Sequence, residues 1–270
     1  MEITYHKVFS GVLNQEFEFK RYGRAGKPVM VFPCSGGRFF DYENFGMLDI
    51  FGPSIESGDL QLVCVDSRDH ESWLKPVHDE WMAKRHEHFE GCIINDVIPF
   101  LRKEGIDEKF LATGNSAGAW HAMNFFLKYP GCFDSAISLS GFYSIKAEIG
   151  DYYDRGVYFN DILRYLPGIT DEAALAKLRY GYAIIAHGGG AWETFNDEAR
   201  LTAALLAEKG ITVWYNPWGT DWPHDWCTWK AQLSQYLPRL RDGVDFKGGI
   251  LRLTGPQRRV NKLECQTHAG

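Results

Sequence analysis

The sequence has no long apolar run: nowhere in its 270 residues do about eighteen apolar residues follow one another, so no membrane-spanning helix is expected. Its N-terminus, Met1-Glu2-Ile3-Thr4-Tyr5-His6-Lys7, lacks the apolar stretch of a secretory signal, and a cytoplasmic protein is the expectation. Cysteine is sparse and scattered. Cys34, Cys64, Cys92, Cys132, Cys227 and Cys265 form no Cys-x-x-Cys pair and no zinc-ligand spacing. Several sit in apolar runs such as Leu62-Val63-Cys64-Val65, where a thiol behaves as a small core residue, so free thiols are expected. Basic charge is not concentrated either. The net charge is −6, and the short Gln257-Arg258-Arg259 run is too small to argue for a nucleic-acid partner.

What is present suits a packed core: 45% of residues are hydrophobic and 15% aromatic. Residues 3–10 and 15–22 alternate and carry β-formers, which suggests an opening antiparallel pair. Continuous apolar runs then read as buried strands at Val29–Phe32, Leu60–Val65, Phe110–Thr113, Asp134–Leu139, Tyr182–Ala186 and Ile211–Tyr215. Between them lie helical patterns from about Glu80 to Lys103, from Ser116 to Tyr129, over Ala173–Leu178 and from Phe195 to Lys209. A last helix is expected from about Asp225 to Tyr236. Alternating strands and helices predict the α/β class, with a mainly parallel sheet covered on both faces. The expected organisation is one domain over 1–240, with 142–170 a candidate cap insertion and 241–270 a C-terminal tail.

Gly114-Asn115-Ser116-Ala117-Gly118 is the sharpest chemical signal. An apolar strand precedes it and a helix-compatible run follows, the setting of a nucleophile elbow, where the flanking neighbours of a serine on a strained turn must lack bulk. Ser116 is therefore the candidate nucleophile, and the Ala117 N–H, at a helix N-terminus, a candidate oxyanion donor. The competing reading is a Gly-rich turn in which Ser116 merely caps the helix.

A serine hydroxyl needs a base that works near neutral pH, and histidine supplies it. Of the histidines after Ser116, His121 lies on the following helix, His187 ends a strand and His268 sits in the tail. His224, after the last strand and before the last helix, is the candidate base. Glu193, delivered by Gly188-Gly189-Gly190 just past the Tyr182–Ala186 strand, is the candidate orienting acid, with Asp197 as runner-up and Asp221 a further contender. Ser35-Gly36-Gly37 follows the Val29–Phe32 strand and offers a second oxyanion donor, Gly37 first and Gly36 next, with plain turn formation as the alternative.

Together, the Gly-x-Ser-x-Gly elbow, the Ser-Gly-Gly loop and the ending around His224-Asp225-Trp226 resemble the esterase branch of the α/β hydrolases, the group of S-formylglutathione hydrolases, feruloyl and enterochelin esterases and mycolyltransferases. The likeness spans about residues 25–238. It implies an α/β-hydrolase sheet and cofactor-free acyl-ester chemistry, with Ser116, Glu193 and His224 as the triad and Gly37 and Ala117 as oxyanion donors. Pro33-Cys34-Ser35-Gly36 departs from the His-Gly common after this strand in many relatives.

The expected activity is hydrolysis of a small or medium carboxylic ester without cofactor or metal. Two other readings stay open: an acyltransferase using the same acyl-enzyme, and a non-catalytic ligand-binding protein on a hydrolase fold. Self-association into a homo-oligomer is also open. His78, His86, Glu87, His88 and Glu90 are read as a solvated helix and not a metal site, because residues two apart do not share a helix face. Residues 152–159, rich in Tyr and Phe, read either as a cap over the site or as core. Trp192, Trp218, Trp222, Trp226 and Trp229 are expected to gather near the candidate acid and base.

Overall fold

The computed structural model describes residues 1–241. The tail expected from 242 onward lies outside the described residues. Eight strands build one sheet: β1 (Ile3–Ser10), β2 (Gln15–Tyr22), β3 (Lys27–Phe32), β4 (Leu60–Val65), β5 (Phe110–Asn115), β6 (Phe133–Leu139), β7 (Tyr182–His187) and β8 (Thr212–Pro217). Their spatial order is β1-β2-β4-β3-β5-β6-β7-β8. β1 pairs antiparallel with β2, and β2 antiparallel with β4. From β4 through β8 every pairing is parallel. The two opening strands and the mainly parallel sheet are as expected.

The helices are α1 (Asp41–Asn44), α2 (Leu48–Glu56), α3 (Glu80–Cys92), α4 (Ile98–Lys103), α5 (Ala117–Lys128), α6 (Lys146–Ile149), α7 (Arg155–Tyr158), α8 (Ile162–Tyr165), α9 (Glu172–Tyr180), α10 (Asn196–Glu208) and α11 (Trp226–Arg241). The alternation of each strand decides where they pack. Val29 and Val31 point to a face covered by Tyr42, Phe51, Trp229, Leu233 and Tyr236, from α1, α2 and α11. Met30 and Phe32 point to the opposite face, under Phe89, Ile93, Val97, Leu101 and Phe125. Because both faces are covered, the parallel strands are mostly apolar, with few polar residues such as Gln61, Thr113 and Ser138 among them.

Three elements depart from the sequence reading. Nothing in the residues between β3 and β4 signalled α1 and α2, because α2 carries Pro53 in its interior. The single helix expected from Glu80 to Lys103 is α3 and α4 joined by a π-helical turn over Ile93–Val97. Pro99, near the start of α4, has no N–H to donate back along the helix. The segment His78–Glu90 is not simply a solvated face: His86 and Glu90 are buried.

Cys34, Cys64, Cys92 and Cys132 are free thiols. Among the described residues no helix is long and apolar enough to cross a membrane.

Candidate active site

Parallel strands end on a common edge, and in such sheets the crevice outside their C-terminal ends is where ligands bind. β5 delivers Ser116 to that edge. The residue adopts φ 55° and ψ −123°, a left-handed conformation that a serine takes only where its surroundings impose it. The two flanking glycines show what imposes it. A Cβ on Gly114 would lie 2.4 Å from the Gly118 carbonyl carbon and 2.6 Å from the Phe32 oxygen, and one on Gly118 would lie 2.2 Å from that oxygen. Helix α5 can start this close to β3 and β5 only with bare backbone at both positions. Ser116 makes no side-chain cap bond to α5, so the capping alternative fails. Ala117 opens the helix, and its N–H has no carbonyl one turn earlier to bond.

The edge is stitched by backbone bonds running across it. Ser116 N–H donates to the Leu139 carbonyl at 2.9 Å, Ser140 N–H to Ala186 at 2.7 Å, and Trp218 N–H to His187 at 2.9 Å. The loops after β7 and β8 are likewise joined: Gly190 N–H donates to the Trp222 carbonyl and His224 N–H to the Ala191 carbonyl, each at 2.9 Å. This second seam is what brings Glu193 and His224 together. Glu193 Oε2 lies 3.4 Å from His224 Nδ1, with the glutamate side chain 2% exposed and the histidine 19%. The other carboxylate oxygen, Oε1, accepts from the Gly188 N–H at 2.9 Å and the Ser140 hydroxyl at 2.6 Å. Burial alone would raise the Glu193 pKa; the bonds from His224, Ser140 and Gly188 outweigh it and hold the carboxyl below its ordinary value.

The remaining site residues are also placed. Asp197, the runner-up acid, is 96% exposed and paired with Arg200 at 3.2 Å, away from any imidazole. The Gly37 N–H, expected as an oxyanion donor, donates to the Cys34 carbonyl at 2.8 Å and closes the turn after β3. That loop is instead tied to the elbow through Asn115, whose amide donates to Cys34 Sγ at 3.4 Å and accepts from the Tyr42 hydroxyl at 2.8 Å. The tryptophans cluster in part: Trp218 meets Trp222 at 4.6 Å and Trp226 meets Trp229 at 5.2 Å between ring centroids, whereas Trp192 is 83% exposed.

Sequence reading missed Ser140. It follows a strand and precedes a glycine, which marks a turn and nothing more. Among the described residues no group of His, Cys, Asp or Glu side chains could hold a metal ion.

The family model described as "Putative esterase" matches residues 19–231. The chain belongs to this esterase family. No curated protein matches it in sequence. Among solved structures, it is similar to a ferulic acid esterase at 17% identity and TM-score 0.70, covering 89% of this chain and 97% of that one. It also resembles an S-formylglutathione hydrolase from Agrobacterium tumefaciens, at 14% identity and TM-score 0.68, over 89% of this chain and 94% of the other. The Staphylococcus aureus fluorophosphonate-binding serine hydrolase F is a third, at 12% identity and TM-score 0.66, over 89% and 98%. At such identities these structures bear on the fold, which is that of the α/β hydrolases.

Proposed function

We propose that this esterase-family chain is a serine carboxylic ester hydrolase in which Ser116 is the nucleophile, His224 the general base and Glu193 the orienting acid. The observation that carries the reading is the Glu193–His224 pair, 3.4 Å apart on the same strand edge as the left-handed Ser116. With Nδ1 turned to the glutamate, Nε2 is the imidazole nitrogen left for the serine proton.

In the proposed cycle, His224 takes the Ser116 proton as the oxygen attacks an ester carbonyl. The Ala117 N–H, with the positive end of α5 behind it, stabilises the oxyanion. Collapse of the tetrahedral intermediate expels the alcohol, protonated by His224. Water, deprotonated by the same imidazole, attacks the acyl-enzyme, and the acid leaves. Glu193 keeps the ring in the required tautomer and balances the imidazolium charge. The substrate is a small or medium carboxylic ester.

Hydrolysis of p-nitrophenyl esters of graded chain length tests this. Ser116→Ala should remove turnover on the order of 10⁵–10⁶-fold while leaving the fold intact. Near wild-type turnover in that variant refutes the assignment.

A further inference from the structure

The candidate acid is held by a small buried construction outside the triad residues. Ser140, at the end of β6, is 2% exposed and has φ 52°, a left-handed conformation uncommon for a residue with a side chain. Its N–H is fixed on the Ala186 carbonyl, so the strained backbone directs the hydroxyl in one direction. That hydroxyl has one hydrogen, and its bond to Glu193 Oε1 is 2.6 Å long.

The ionised carboxylate can only accept, so the hydroxyl donates to it. Trp229 Nε1, on α11, lies 3.0 Å from Ser140 Oγ. An indole N–H can only donate. The indole N–H therefore donates to a lone pair of the Ser140 oxygen and fixes the direction in which its hydrogen points to the glutamate. The Trp229 ring also stands nearly perpendicular to the His224 imidazole, 5.2 Å between centroids at 84°. One side chain, 4% exposed, therefore orients the donor to the acid and packs against the base.

We propose that Ser140 and Trp229 are positioning residues that hold the Glu193 carboxylate in the plane that turns one of its oxygens to His224. One oxygen accepts from both Ser140 and Gly188, so any turn of the carboxylate plane away from His224 would break those two bonds as well. Neither residue is assigned a contact with substrate. Their effect is exerted through the acid, and this inference rests on the triad reading above.

The test is a cycle of variants: Ser140→Ala, Trp229→Phe and Glu193→Gln, singly and with each of the first two placed in the Glu193→Gln background. Active sites are first titrated with a fluorophosphonate, so that kcat is expressed per reactive serine. Ser140→Ala and Trp229→Phe should each lower kcat by about 10- to 100-fold with KM nearly unchanged. In the Glu193→Gln background each should cost less than about threefold, because the group they position has already lost its charge. The Ser140→Ala/Trp229→Phe double variant should be no slower than Ser140→Ala alone.

A fold-loss that is the same in both backgrounds would show a structural role and overturn the proposal, as would an unchanged kcat in Ser140→Ala. If the wild-type protein takes up no probe, the hydrolase reading itself fails, and the two failures are thereby told apart.

Discussion

The Glu193–His224 pair at the sheet edge and the Asp69–His121 pair inside the helical layer are built from the same chemical groups, and by distance the second is the closer, at 2.9 Å against 3.4 Å. A third pair lies beside it: His86 Nε2 is 3.3 Å from Glu90 Oε1, and Lys128 Nζ bonds both oxygens of that glutamate at 2.6 and 2.7 Å. The His86 and His121 rings are 5.4 Å apart, and both side chains are 1% exposed. His224, by contrast, is 19% exposed, in the loop after β8. An imidazole held by a carboxylate is thus a common interior device. On the proposed reading, what sets the Glu193–His224 pair apart is its more exposed ring and a serine on the same sheet edge.

The comparison can be broken by removing one carboxylate of each kind. Glu193→Gln should lower kcat for ester hydrolysis on the order of 10⁴-fold with the fold retained, measured by steady-state kinetics alongside circular dichroism. An interior change should do the reverse. Lys128→Met leaves the buried Glu90 without its cation. It should destabilise the protein by about 2 kcal/mol in urea, less than the roughly 3–5 of a fully buried pair because the ammonium is a fifth exposed, with kcat per folded molecule unchanged. If Lys128→Met slowed catalysis as strongly as Glu193→Gln, the division between the two regions would be wrong.

Acid should weaken the interior next. Burial pushes His86 down from 6.5 to about 4. The unfolded chain then binds that proton first as pH falls, so stability should drop between about 6.5 and 4. Glu90 is held below its ordinary value, against its own burial, by His86 and Lys128. Its contribution is full above 4.5 and drains as pH falls below that value. The thermal midpoint measured from neutral pH downward should therefore decline steadily; a flat profile from 6.5 to 4 would remove His86 from the account. The smallest effect belongs to Asp197→Asn, which should leave kcat and KM at wild-type values, because that carboxylate is exposed and bonded only to Arg200 among the contacts described.

Much of this was legible in advance because it is written in local pattern. The six parallel strands are continuous apolar runs, and the elbow is a short motif whose glycines have a steric reason that the distances around Gly114 and Gly118 make explicit. His224 could be placed by chain order. Other features depend on tertiary geometry that no window of sequence carries. That Glu193 is buried against His224 while Asp197 is exposed turns on the seam between the β7 and β8 loops. The Gly37 N–H closes a four-residue turn on Cys34, which a Ser-Gly-Gly pattern does not by itself announce. His86 and Glu90 look like any charged helix face until α5 packs over them with His121 and Lys128. Ser140 is one serine before a glycine, and only its bonds to Glu193 and Trp229 mark it out.

The most direct test of the central claim, that Ser116 is the group activated at this edge, is covalent labelling of the native protein by a fluorophosphonate with the adduct located by peptide mass spectrometry. The account predicts a single adduct on Ser116, formed markedly more slowly in Glu193→Gln and absent in Ser116→Ala. An adduct on another residue, or none on a folded protein, would contradict it.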